Sequence, residues 1–180
     1  MIMADFDDYT IQHIGLKKGK HHYHYKIKNT FFELFDFTDF HNADVDVNLA
    51  LTKKENMIEL NFDMKGSVGL TCDVSTELYQ QVIDNQIYVV LKYGDEFQEI
   101  DEELVIIPRS DDEIAMHQFI YEGIILALPA KRVHPQVEDG SMETEITKKI
   151  EELKPSNNSK TPEGKTDPRW DKLKELLNDK

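Results

Sequence analysis

The sequence predicts an α+β fold: a mainly antiparallel β-sheet, a meander able to curl toward a barrel, with one long central helix on it and a C-terminal extension ending in a short helix. Three observations lead there. Several runs in the first 135 residues alternate apolar and polar side chains with the period of two that half-buried strands require. One run, "SDDEIAMHQFIYEGIILAL", opens on cap-type residues and is apolar almost all round in its second half, as a helix covered on most sides is. Beyond Pro135 the composition turns polar and is broken by Pro, Ser, Asn and Gly. The expected division is a folded domain over 1–135, a flexible polar linker over 136–166 and a docking helix over 167–180.

Each element follows from its own residues. "KKGKHHYHYKIK" (17–28) reads as a strand with Tyr23, Tyr25 and Ile27 on one face and Lys18, Lys20, His22, His24, Lys26 and Lys28 on the other. In "NTFFELF", Thr30 and Glu33 have capping-box spacing, so a short helix should bury Phe31, Leu34 and Phe35. "DVDVNLAL" aligns Val45, Val47, Leu49 and Leu51, and "MIELNFDM" aligns Ile58, Leu60, Phe62 and Met64; "TKKEN" between them is a hairpin loop. "GSVGLTCD" is expected to continue the meander with Val68, Leu70 and Cys72 on one face, which points the thiol into the core.

Ser75 is placed to cap a short helix through "TELYQQVID", and "QIYVVLKY" forms a further strand with Ile87, Val89, Leu91 and Tyr93 aligned. "ELVII" adds an edge strand before Pro108. The capping-box pair Ser110 and Glu113 then starts the long helix, expected to run about five turns to Pro129. In the extension, "METEITKKIEELK" is weakly amphipathic. "DPRWDKLKELLND" has Asp167 as N-cap, Pro168 at N1 and an apolar stripe of Trp170, Leu173 and Leu177. So short a helix is stable only when docked, either on its own sheet or on a partner.

Charge narrows the function classes. The formal net charge is −14, and residues 1–135 carry 24 acidic against 12 basic side chains. An acidic folded part repels phosphate backbones at long range and attracts basic surfaces. No acidic residue occurs between Asp8 and Glu33, however, so the six-residue Lys/His face stands apart. It is either a ladder that contacts a partner or RNA phosphates, or a solvated edge strand whose lysines prevent edge pairing. No apolar run approaches a membrane span, and the opening "MIMADFDDY" lacks the features of an export signal. With a single cysteine, the expected compartment is a reducing cytoplasm.

Catalytic and metal chemistry find little support. His22 and His24 share a strand face, but His13, His41, His117 and His134 lie in segments with no shared metal spacing, so no metal is expected. Neither a nucleophile elbow, a phosphate-binding glycine loop nor a zinc-protease helix motif occurs. Pairs such as Glu102-Glu103 and Asp111-Asp112 read as caps and solvated surface. Glu122, in the most apolar part of the long helix, is either a hydrogen-bonded structural acid or a partner contact at an exposed seam.

Taken together, "GLKKGKHHYHYKI" with "FFELF", "GSVGLTCDVS", "IYEGIILALPAKRVHP" and "DPRWDKLKELL" make the chain resemble the YceD family, the large ribosomal RNA subunit accumulation proteins. The resemblance implies a noncatalytic ribosome-biogenesis protein that needs no cofactor and supports 23S rRNA accumulation. Its implied partners are a large-subunit precursor or a basic ribosomal protein, with rRNA itself as the alternative, and no membrane. The matching positions are Gly66, Leu70, Cys72, Glu122, Leu128, Pro129, His134, Pro135, Asp167, Pro168 and Arg169. Many members carry a second cysteine where this chain has Ser75, and others after the Leu-Pro matched by Leu128-Pro129. A thiolate metal site is therefore not expected here, and Cys72 is read as a packed remnant.

Overall fold

The computed structural model describes residues 5–141 and 145–153. In chain order the strands are β1 (Thr10–Gln12), β2 (Gly19–Lys28), β3 (Ala43–Lys53), β4 (Met57–Thr71), β5 (Leu78–Gly94), β6 (Gln98–Glu99), β7 (Leu104–Pro108) and β8 (Glu113–Ala115). The helices are α1 (Asn29–Glu33), α2 (Met116–Leu126), α3 (Pro135–Glu138) and α4 (Glu145–Leu153). The architecture is α+β. The tail positions Asp167, Pro168, Arg169, Trp170, Leu173 and Leu177 lie outside the described residues.

Six strands form one sheet in the order β2-β3-β4-β5-β7-β6, and β1 with β8 form a separate two-stranded sheet. All pairs are antiparallel except β5 with β7. The sheet does not close into a barrel. Among the described residues β2 pairs only with β3, and at the other edge β6 offers two residues, far too few for a closing ladder.

Two long antiparallel strands replace several of the expected elements. "MIELNFDM" and "GSVGLT" belong to one 15-residue strand, β4, which ends just before Cys72. Its inward parity runs unbroken from Ile58 through Met64 and Leu70 to Cys72, each of them buried. The helix expected after Ser75 does not form. The segment starts the 17-residue β5, in which Tyr79 pairs with Leu70 and Ile83 with Gly66, because tertiary pairing outweighs the helix propensity of "TELYQQ". "ELVII" is a strand, β7, but lies second from the edge.

The long helix is shorter than its apolar run. α2 has 11 residues, because Glu113–Ala115 is drawn into strand pairing with Thr10–Gln12 and the Ser110/Glu113 cap is not realised. Its N-cap is Ala115, with no side-chain capping bond. The Thr30 cap of α1 is likewise replaced by Lys28. That helix buries Phe31 and Phe32, while Leu34 and Phe35 remain half-buried.

One face of the sheet carries the core. Ile27, Val47, Leu49, Leu51, Leu60 and Phe62 are essentially inaccessible; α1 packs on β2, and α2 on β4 and β5. Aromatic rings seal this layer: Phe35 stacks on Tyr121 at 4.3 Å, and Phe31 meets Tyr9 edge-on at 4.8 Å. α2 approaches the sheet closely at Gly123, where a Cβ would fall 2.5 Å from Met64 Cε, and Asn85 Nδ2 donates to the Gly123 carbonyl at 2.8 Å.

α4 falls in the expected linker, on the weakly amphipathic "METEITKKIEELK", and belongs to a separate unit that starts at Glu143.

Candidate functional site

Three surfaces hold the residues singled out by the sequence: the outer face of β2, the turn after β4, and the cleft between α2 and the β5–β7 edge.

On β2, the register sets the lysines and histidines opposite acidic β3. Lys28 pairs with Asp44 and Lys26 with Asp46. Lys26 Nζ lies 2.7 Å from Asp44 Oδ1 and 3.0 Å from Asp46 Oδ2, and His24 Nε2 lies 3.1 Å from Asp46 Oδ1. The bonds from Asp44 and Asp46 hold the Lys26 ammonium above its usual range, and Lys26 in turn holds the Asp46 carboxyl below its own. Lys18 lies outside the strand and pairs with Glu55. Lys20 and Lys28 make no ion pair among the described residues, and His22 lines a shallow polar groove with His24, Asn48 and Asp63. The six positions are therefore partly neutralised.

Beyond β4 the chain turns back through Cys72–Glu77, closed by Cys72 N–H to the Glu77 carbonyl at 2.9 Å. Thr76 takes a left-handed φ of 60° there. Cys72 is buried as its parity requires, at 1% exposure, but it does more than fill space. Its Sγ accepts from the backbone N–H groups of Val74 at 3.4 Å, Ser75 at 3.3 Å and His134 at 3.2 Å.

A second strap ties the same two segments: Asp73 N–H donates to the Arg132 carbonyl at 2.8 Å, and Arg132 N–H to Asp73 Oδ2 at 3.0 Å. Burial pushes the thiol pKa up, yet the Ser75 hydroxyl and the N–H groups of His134, Ser75 and Val74 outweigh it and bring the value down to about 7. Tyr79 packs beside this turn with its ring 5.6 Å from that of His134, and its hydroxyl is buried without a hydrogen-bond partner.

This turn does not suit a thiolate metal. Ser75, 3% exposed, stands where a second sulfur would be needed. His134 Nδ1 is committed to Gln136 N–H at 3.0 Å as the cap of α3, where Pro135 occupies the first turn. Among the described residues, no group of three His, Cys, Asp or Glu side chains is arranged to hold a metal. Leu70 is buried in the core, Leu128 is half-buried and Pro129 is exposed. Gly66 is required sterically, since a Cβ there would lie 2.2 Å from the Asp44 carbonyl oxygen.

The third surface is a cleft of about 640 Å³ between α2 and the sheet edge. Glu99, Asp101, Glu102, Glu103 and Glu122 line it, and no basic side chain does. Phe119 and Leu126 of α2 with Ile87 and Val105 of the sheet supply its apolar lining. Leu126 is 77% exposed and Ile100 48%. Glu122 thus sits at an exposed seam, where Gln118 donates to its carboxylate. Local periodicity does not reveal this gathering of charge, because β7 reaches β5 by a parallel pairing with no short-range signal. The bare acidity of "DEEL" is its one trace in the sequence.

No helix among the described residues is long and apolar enough to cross a membrane. No curated protein and no solved structure matches the chain. The family model described as large ribosomal RNA subunit accumulation protein YceD matches residues 60–177, a span that contains the Cys72 turn and the acidic cleft but not β2. That match covers well over half of the chain, which therefore belongs to the YceD family.

Proposed function

We propose that this protein is a noncatalytic factor of ribosome biogenesis, acting in the cytoplasm, that supports accumulation of 23S rRNA and assembly of the large subunit by binding a basic ribosomal protein or assembly factor. Membership of the YceD family carries the first part of this reading. The protein-binding part rests on charge: a chain of net −14 attracts basic surfaces over distances at which it repels RNA. Sedimentation of the purified chain with large-subunit precursors tests it. Retention that survives nuclease trimming of exposed RNA is expected; absence of the chain from precursor fractions contradicts it.

A second reading has the outer face of β2 touch rRNA directly. Lys20 and Lys28, free of ion pairs among the described residues, favour it, whereas the hold of Asp44 and Asp46 on Lys26 weighs against it. Loss of retention after nuclease treatment would favour this reading over the first.

A further inference from the structure

The cleft combines two features that seldom coincide without a use. Two of its apolar side chains are open to solvent, Leu126 at 77% and Ile100 at 48% exposure, and its rim holds five carboxylates with no cation among them. The carboxylates are not a cation cage, because among the described residues no three acidic, His or Cys side chains are arranged to hold a metal. Nor, among the described residues, does Glu99, Asp101, Glu102, Glu103 or Glu122 form a salt bridge. The geometry is also steady. The close approach at Gly123 and the Asn85 bond to its carbonyl fix the distance of α2 from β5, and the parallel β5–β7 pairing fixes the opposite wall.

We infer that the cleft between α2 and the β5–β7 edge docks a basic amphipathic segment of a partner protein, with its apolar side chains against Phe119, Leu126 and Ile100 and its Lys or Arg side chains on the acidic rim. This rests on the reading of the chain as an assembly factor that engages a basic protein, and it names the surface that does so. Charge complementarity selects the occupant. A phosphate backbone is repelled from such a rim, and a second copy of this acidic chain would bring further negative charge to it. Residues 167–180 of the chain itself carry four acidic and four basic side chains, so they lack the excess of cations that the rim calls for. Apolar anchors in the floor supply affinity, and the rim sets orientation and on-rate.

The test uses the full chain and a labelled synthetic amphipathic peptide of Lys and Leu. Its Glu/Leu counterpart and a scrambled Lys/Leu peptide serve as controls. Amide chemical shifts should move in residues 99–105 and 119–126, and binding should weaken on the order of tenfold in Leu126→Lys and in Glu102→Lys/Glu103→Lys. These positions are exposed, so the variants should keep their folded spectrum and melting temperature.

Shifts centred on Asp44 and Asp46 instead, binding indifferent to the variants, or equal binding of the scrambled peptide would overturn the inference. So would displacement of the probe by a peptide of residues 167–180, or self-association of the chain that the variants abolish. In cells the two levels separate. If deletion lowers 23S rRNA and the cleft variants restore it fully, the docking surface is wrong while the proposed function stands; if deletion leaves 23S rRNA unchanged, the proposed function itself fails.

Discussion

The backbone N–H of His134 donates to Cys72 Sγ at 3.2 Å, joining two segments 62 residues apart in the chain. With Val74 and Ser75 N–H on the same sulfur, the thiol acts as the acceptor that pins the loop after α2 to the turn after β4.

Cys72→Ala should destabilise the fold by about 1–3 kcal/mol, since three N–H donors lose their buried acceptor. The folded pKa of about 7 lies below the ordinary thiol value of 9.0, so between these pH values the unfolded chain binds more protons than the folded one. The contribution is present above about pH 9 and lost as pH falls through about 7. Denaturant melts at several pH values should therefore show the wild type gaining on Cys72→Ala from pH 7 to pH 9. A constant difference would mean that the thiol is not held as a thiolate acceptor.

Two tyrosines give opposite signs. Tyr93 OH lies 3.2 Å from His13 Nδ1; because His13 Nε2 must donate to the Asp111 carbonyl at 2.8 Å, Nδ1 accepts the phenolic proton. Tyr93→Phe should cost about 0.5–1.5 kcal/mol. The Tyr79 hydroxyl is buried without a partner, so Tyr79→Phe should be neutral or stabilising, which chemical denaturation of the two variants checks.

Gly66→Ala should destabilise by about 1–3 kcal/mol or more, because the added methyl meets the backbone of Asp44 and Val45 rather than a side chain that can move. Gly15, whose Cβ position is open, provides the control: alanine there should leave the melting temperature nearly unchanged.

Lys20→Glu/Lys28→Glu removes the β2 lysines that make no ion pair among the described residues. With a protein partner, retention on large-subunit precursors and its dependence on salt should stay as in the wild type. An RNA contact would instead reduce the slope of log affinity against log salt by about one per lost phosphate contact.

The legible part of the fold is the part written locally. Alternation places β2, β3 and the two halves of β4 correctly, and parity alone puts Cys72 in the core. What escapes local patterns is pairing at long range. Lys65-Gly66-Ser67 looks like a break, yet β3 and β5 pair with both sides and carry the strand through. "EIA" looks like the first turn of a helix until Thr10–Gln12, a hundred residues earlier, pairs with it. The same reason hides the pairing of Lys26 with Asp44 and Asp46, and the cleft, whose carboxylates come from β6, the β6–β7 connection and α2.

The most direct measurement for the proposed role is the ratio of 23S to 16S rRNA in cells lacking this protein, alongside cells complemented with the full chain or with Cys72→Ala. A noncatalytic role in large-subunit rRNA accumulation predicts a lowered ratio on deletion, restored by the wild type and, where the variant is stably expressed, by Cys72→Ala. An unchanged ratio on deletion would contradict it, and a failure of stably expressed Cys72→Ala to restore the ratio would show that the thiol takes part in the function itself.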